Sequence, residues 1–519
     1  GDVHPEVALG QCRLGAMLPY TPLHLLLLHA VGAPVVMTSG NIADEPLARD
    51  EREAERLAAV ADAFLLHDRP IAQRCDDSVA VVSGGRVNVL RRARGYAPLP
   101  VRLPRRLPQV LACGAEVKNA FCLTREHDAF VSQHVGDLEN LETLEHFEES
   151  VTWYRRLFAI EPEVIAHDLH PEYLATKYAL AQSTAKVAVQ HHHAHVAASM
   201  VEAGLEDPVI GVCLDGLGYG DDGGLWGGEV LLCDFVGYRR VASLELMPLP
   251  GGAAAIRAPW RTAAGWALAA LGDEGFVRAG RLLSRASEPP IAEELQAVRR
   301  QVETGTNAPA TTSCGRLFDA VSALAGVRSR VTYEGQAAIE LEAAASVTTV
   351  AGAGGLADMA GRPVSPYPVV ISGDIGAAAE GPLQQATEWM ASRAGHGATA
   401  APVTLRLAPL FSAVLDDLED GTVAGVVGAR LHVALATFAC QVCTEAVRTT
   451  GVSTVVLSGG VFQNELLSAL CARELEAAGI GVVRGGLVPC NDGGVALGQA
   501  AVGGYTLLYQ RGEYSPPGR

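Results

Sequence analysis

The chain has 519 residues, too many for one hydrophobic core, so two or three domains are expected. Hydrophobic residues make up 49% and charged residues 19%, a balance that excludes a disordered or fibrous chain. A formal net charge of -18 argues against nucleic acid as a partner, because such a surface repels a polyphosphate backbone.

The chain opens at Gly1 with no signal-peptide pattern and reads as a piece of a longer polypeptide. Residues 23–28 and 35–37 are apolar, but His24, His29 and Pro34 stop them far short of the roughly 18–20 residues of a membrane span. No membrane association is therefore expected. Eleven scattered cysteines without a small-domain framework suggest reduced thiols and a cytoplasmic protein. Residues 1 to 100 alternate patterns: a Leu-rich helix, a strand over 33–37, a turn at Ser39-Gly40-Asn41 and a charged helix over 50–61. Prolines and arginines interrupt the periodicity over 101–108, which reads as a linker and divides the chain into 1–104 and 105–519.

Beyond that point three apolar strands run into Gly-containing turns: 110–113 into Gly114-Ala115-Glu116, 209–214 into Asp215-Gly216, and 455–457 into Ser458-Gly459-Gly460. Such turns place backbone N–H groups at the rim of a sheet, where phosphates bind. Ala-rich helices over 261–271, 317–324 and 428–449 complete an α/β plan, and the Gly-rich stretch 351–361 reads as a mobile surface loop. Cys440 and Cys443 lie in a helical run with no second pair, a weak signal for zinc.

Gln190-His191-His192-His193-Ala194-His195 is the most informative stretch. On a helix His191 and His195 project from one face one turn apart and can share a metal ion, although a satisfied histidine cluster fits the same spacing. Asp215 ends a buried strand, and Asn491-Asp492-Gly493-Gly494 sets another carboxylate on a tight turn. An ion held by two imidazoles and two carboxylates would be zinc or iron rather than magnesium. The runs from Asp215 through Gly216, Gly218 and Gly220, and from Ser458 to Asn464, suit phosphate and adenosine, while plain tight turns are the alternative. In the first part, Ser39-Gly40-Asn41 follows a strand. The arginines of 74–78 and 91–96 suit an acyl phosphate and a triphosphate, with solvated surface arginines as the alternative.

Taken together, these strings resemble the hydrogenase maturation carbamoyltransferase family, HypF. Further matching stretches are Met37 to Asn41 with Asp44-Glu45-Pro46, Arg74 to Ser78, Arg91 to Pro98, Ser132 to Asn140, His167 to Tyr173, Trp226 to Glu229, Gly315 to Ala320 and Tyr333 to Ala338. The resemblance runs from about residue 10 to 505 and implies an α/β fold class. In it, 1–104 is similar to part of a YrdC-like domain that makes carbamoyl-adenylate from carbamoyl phosphate and ATP. Residues 105–519 are similar to a Kae1-like, actin/Hsp70-type two-lobed ATPase (ASKHA) domain.

The resemblance also implies roles. The metal ligands are His191, His195, Asp215 and Asp492, holding Fe or Zn, with Mg accompanying ATP. Lys118, Asp215 and His195 are catalytic. Ser39, Asn41, Gly216, Gly218, Asp319, Glu334, Gly459, Gly460 and Asn464 hold nucleotide, and Arg74, Arg92 and Arg94 hold carbamoyl phosphate. The implied acceptor is the C-terminal cysteine of the maturation partner HypE, on the route to the cyanide ligand of nickel-iron hydrogenase. Full-length family members carry acylphosphatase-like and zinc modules and the first half of the YrdC-like domain, none of which is visible in this sequence. Three rivals stand beside this reading: a small-molecule O-carbamoyltransferase, a tRNA threonylcarbamoylation enzyme, against which the acidic charge argues, and a non-catalytic actin-like nucleotide sensor. A sensor has no need of a His191/His195 pair.

Overall fold

Two mixed sheets form where the sequence carries near-continuous apolar runs, as strands covered on both faces require. The computed structural model describes residues 4–352, 355–385 and 401–517. The smaller sheet has five strands in the order Val101–Leu107, Cys122–Val131, Val110–Ala112, Val164–Asp168 and Ala185–Val189. The larger runs through Val370–Ser372, Val403–Arg406, Gly237–Leu244, Leu225–Cys233, Val209–Tyr219, Thr454–Ser458 and Gly481–Arg484. Within it, Val209–Tyr219 pairs antiparallel with Leu225–Cys233 and parallel with Thr454–Ser458. That arrangement brings the Asp215 and Ser458-Gly459 strand ends side by side.

Helices His191–Ala203 and Val495–Gln510 pack on each other between the sheets. They approach as closely as they do because of one glycine: a Cβ on Gly498 would lie 1.8 Å from the carbonyl oxygen of Ala194. Backbone cannot give way as a flexible side chain can. Gly498→Ala is therefore expected to destabilise the fold by about 3 kcal/mol, the upper end for overpacking. A denaturant midpoint equal to that of the unmodified protein would show that the two helices separate at no cost.

Among the described residues before Val89 none is buried. Their regular structure is sparse: helices Pro22–Val31 and Glu51–Glu55 and a hairpin of Val79–Ser83 with Arg86–Arg91. The strand expected over 33–37 does not form, and the charged helix expected over 50–61 shrinks to Glu51–Glu55, capped by Asp50. Strands and helices need a partner face to bury, and this region offers none.

Residues 101–108 are no linker. Val101–Leu107 is an edge strand of the smaller sheet, with Val101, Leu103 and Leu107 buried and Pro104 tolerated where the pairing with Cys122–Val131 shifts register. Nor is 351–361 a plain loop: Thr349–Gly352 pairs with Gly355–Asp358 as a hairpin, whose tip, 353–354, lies outside the described residues. Helix Ala424–Thr450 has the length and apolarity to cross a membrane, but 67% of its most apolar window is buried in the larger core, which accounts for both properties. Cys443 is among its buried residues, and all eleven cysteines are free thiols.

Candidate metal centre

The helix His191–Ala203 starts where the sequence says it should. Gln190 caps it, its side-chain oxygen accepting from the His193 N–H at 2.8 Å, and Gly204 ends it in the left-handed conformation. Residues 191–201 are all buried, so His191 and His195 face protein rather than water. The end of strand Val209–Tyr219 carries Asp215 to them, and the short turn Asp492–Gly494 carries Asp492. Asn491 holds that turn, accepting from Gly493 N at 2.9 Å and donating to Leu90 O at 3.1 Å.

One ligand atom from each of these four residues lies within 4.8 Å of the others. The Nε2 atoms of His191 and His195 are 3.2 Å apart. Asp215 Oδ2 stands 3.4 and 3.5 Å from them, and Asp492 Oδ1 stands 3.6 Å from each. These spacings match the edges of a coordination tetrahedron with bonds near 2.1 Å, which are about 3.4 Å long. Most are too long for good hydrogen bonds, and buried Asp215 Oδ2 has no hydrogen-bond partner among the described residues. The donor set thus fits a borderline cation such as zinc or iron.

Electrostatics sets the charge of the cluster before any ion binds. Burial opposes a charge on His191, but Asp168, Asp492 and Asp215 raise its pKa well above the usual imidazole value. His195 is raised too, against burial, by Asp215 and Asp492. Burial pushes both carboxyls up, and the two imidazoles more than reverse this: Asp215 falls well below the carboxylate range and Asp492 to about 2. Carboxylates that stay ionised while buried are competent ligands for a cation.

Asp168 is a member of this site to which the sequence reading gave no role. It ends strand Val164–Asp168, is fully buried, and its Oδ2 lies 2.8 Å from His191 Nδ1. That bond puts the Nδ1 proton toward Asp168 and leaves Nε2 for the cluster, the carboxylate-histidine arrangement that orients metal-binding imidazoles. The string His167 to Tyr173 held the residue, but nothing local shows that a strand end meets a helix 23 positions later. Asp168→Asn is expected to lower metal affinity about 10- to 100-fold with the fold intact. Equilibrium dialysis against a buffered metal series checks it, and an unaltered affinity would strike Asp168 from the site.

The glycines are placed by contact. A Cβ on Gly218 would fall 2.6 Å from His192 Cε1 and 2.7 Å from His191 Cδ2, so only glycine lets the strand run beside the histidines. Gly459 has φ +94, and a Cβ there would strike Leu214 O at 2.3 Å. Gly460 N donates to Asp215 Oδ1 at 3.0 Å, and the space beside Gly216 is open. Lys118 has its Nζ paired with Glu334 and its backbone carbonyl near Gly493.

Other expected site residues are not brought to the cluster. Asn464 caps helix Glu465–Ala477 and bonds His432 Nε2 at 2.8 Å, and Asp319 is buried against Arg316 at 2.6 Å. Arg92 is buried and donates to the carbonyls of Tyr96, Leu99 and Leu487, so its fork holds backbone. Arg94 bonds Asp77 and the Cys75 carbonyl. Arg74, paired with Glu53, does line a polar cavity with Ser39, Asn41, Arg91 and His134, a different place from the four-ligand cluster.

Residues 211–368 and 373–499 match the family described as "Carbamoyltransferase, Kae1-like Domain, second subdomain". Residues 105–202 match "HypF Kae1-like domain", and 1–93 match the Sua5/YciO/YrdC family described as "Telomere recombination". The chain is 42% identical to Carbamoyltransferase HypF2 of Cupriavidus necator, over 96% of this chain and 61% of the relative. It is 38% identical to Carbamoyltransferase HypF of Rhodobacter capsulatus, over 97% of this chain and again 61% of the relative. It therefore spans about three fifths of the length of these curated relatives. A crystal structure of full-length HypF in the phosphate- and nucleotide-bound form superposes with a TM-score of 0.84 at 35% identity, covering 98% of this chain and 73% of that one.

Proposed function

Because the chain belongs to the HypF carbamoyltransferase family, we propose that it transfers a carbamoyl group, activated with ATP as carbamoyl-adenylate, to the C-terminal cysteine thiolate of HypE. We assign 1–104 to part of the YrdC-like, adenylate-forming unit and 105–519 to the Kae1-like transfer unit, acting in the cytoplasm. Carbamoyl phosphate is the donor. In the transfer the thiolate sulfur attacks the carbamoyl carbon, the carbon–oxygen bond to the adenylate phosphate breaks, and AMP leaves.

The observation that carries this reading is the set of buried His191, His195 and Asp215 with half-buried Asp492, spaced for one cation and bordered by Gly216, Gly218, Gly459 and Gly460. A bound divalent ion there supplies Lewis acidity toward a carbonyl or phosphoryl oxygen. The chain's own residues do the rest. Asp168 fixes the His191 ring, Gly460 N fixes Asp215 through its second oxygen, and the glycine turns let an adenylate approach backbone without a side-chain clash. Lys118, with burial opposing its charge and Glu334 and Asp492 raising its pKa, stays cationic and suits a phosphate oxygen.

The decisive experiment incubates the protein with ATP, carbamoyl phosphate and HypE, following AMP release and the mass of the HypE C-terminal peptide. Stoichiometric AMP and a carbamoyl adduct on the terminal cysteine are expected. AMP release that leaves HypE unmodified and instead carbamoylates an alcohol would favour the small-molecule reading. Nucleotide binding without turnover would favour the sensor.

A further inference from the structure

We propose that His192, which lies between the two candidate metal-binding histidines in sequence, is a substrate contact that donates a hydrogen bond from Nε2 to the carbonyl oxygen of the carbamoyl group. The inference rests on the transfer reading above and names a contact it did not include. His192 is fully buried, and its Nε2 has no hydrogen-bond partner among the described residues. Its other nitrogen is accounted for. The side-chain oxygen of Gln190 accepts from His193 N at 2.8 Å, so the amide nitrogen of Gln190 is the donor, reaching Tyr219 O at 3.2 Å and His192 Nδ1 at 3.1 Å. With Nδ1 accepting, the ring proton sits on Nε2. The result is a buried, oriented N–H for which the described residues provide no acceptor, and native proteins rarely leave one without a bound molecule to complete it.

The position of the ring narrows the class of molecule. Its centroid is 5.5 Å from that of His191 and 6.5 Å from that of His195, and it faces the Trp226 ring at 6.1 Å. Its Cε1, the carbon bonded to Nε2, is the atom that Gly218 must lack a side chain to clear. Trp226 is itself held, its indole N–H donating to Asp222 at 3.0 Å and its face covered by Arg240 at 4.0 Å. A neutral imidazole N–H offers one directed donor and no charge, which suits a carbonyl oxygen. Phosphate is better served by backbone N–H groups and Lys118.

Two variants separate this contact from packing. His192→Asn keeps a polar atom near Nδ1 for Gln190 and deletes the Nε2 donor, whereas His192→Gln places an amide N–H near Nε2. The probes are a carbamoyl adenylate analogue with a sulfamoyl linkage in place of the phosphate, and AMP, measured by calorimetry on metal-loaded protein. His192→Asn is expected to weaken the analogue about tenfold, the worth of one good hydrogen bond, with metal content and AMP affinity retained, and His192→Gln to recover most of the loss. Unchanged analogue affinity in His192→Asn, equal losses for AMP and analogue, or no recovery in His192→Gln each overturns the proposal. If the unmodified protein binds neither probe, the transfer reading itself fails, and this inference fails with it.

Discussion

Replacing His195 with alanine is expected to strip the candidate centre of its ion and with it carbamoyl transfer, while leaving the chain folded. His195 is buried, and its Nε2 faces His191, Asp215 and Asp492 across 3.2–3.6 Å, so its removal leaves three donors and a gap. Loss of a direct ligand should exceed the 10- to 100-fold cost of disturbing an outer-shell partner. The charge stabilisation an ion gives a developing oxyanion is several kcal/mol, so transfer should fall by about 10³-fold. The fold should survive because the backbone at this point is held independently: Ser458 Oγ donates to the His195 carbonyl at 2.9 Å, and helix Val495–Gln510 braces the other side. Metal stoichiometry by mass spectrometry, read beside circular dichroism, checks the claim. A folded His195→Ala protein with a full complement of metal and normal transfer would remove the four-residue assignment altogether.

What could be read from the sequence was whatever repeats locally. The four-residue spacing of His191 and His195, the apolar run into Asp215 and the Asn491-Asp492-Gly493-Gly494 turn each carry their chemistry in a few neighbouring residues, and the fold sets them around one point. The strand and helix cores of the two sheets were legible for the same reason, since burial on both faces writes itself as continuous apolar sequence. What depended on distant partners was not legible. Asp168 looks like any strand-end carboxylate until His191 is set against it, and Arg92 looks like a phosphate clamp until the carbonyls of Tyr96, Leu99 and Leu487 occupy its fork. Asn464 caps the next helix, but its bond to His432, 32 residues away, could not be read locally. The strand Val101–Leu107 was masked by Pro104 and three arginines because an edge strand with shifted register tolerates both.

Metal removal is expected to lower thermal stability, and the gap between loaded and chelated protein is expected to widen as pH rises. Without an ion the cluster neutralises itself: His191 and His195, raised above the usual imidazole value, are cations facing Asp215 and Asp492, which are held below the usual carboxylate range. The histidine contribution to stability is complete below about pH 6.5 and is lost as pH rises through the raised folded values. The aspartate contribution is present above about pH 4 and is lost as pH falls, for Asp492 toward about 2. The chelated protein should therefore be most stable between those limits and weaken toward pH 8. A cation requires both imidazoles neutral, so binding it displaces their protons, and affinity should rise by up to about 100-fold per pH unit while both remain protonated in the chelated form. Each tenfold gain in affinity at fixed free metal adds about 1.4 kcal/mol to the loaded state. Melting curves at pH 6, 7 and 8, with buffered metal or with chelator, test this directly. A melting gap that stayed constant or narrowed toward pH 8 would mean that the two imidazoles do not exchange protons for an ion, and that the cluster is an ion-pair ring in its own right.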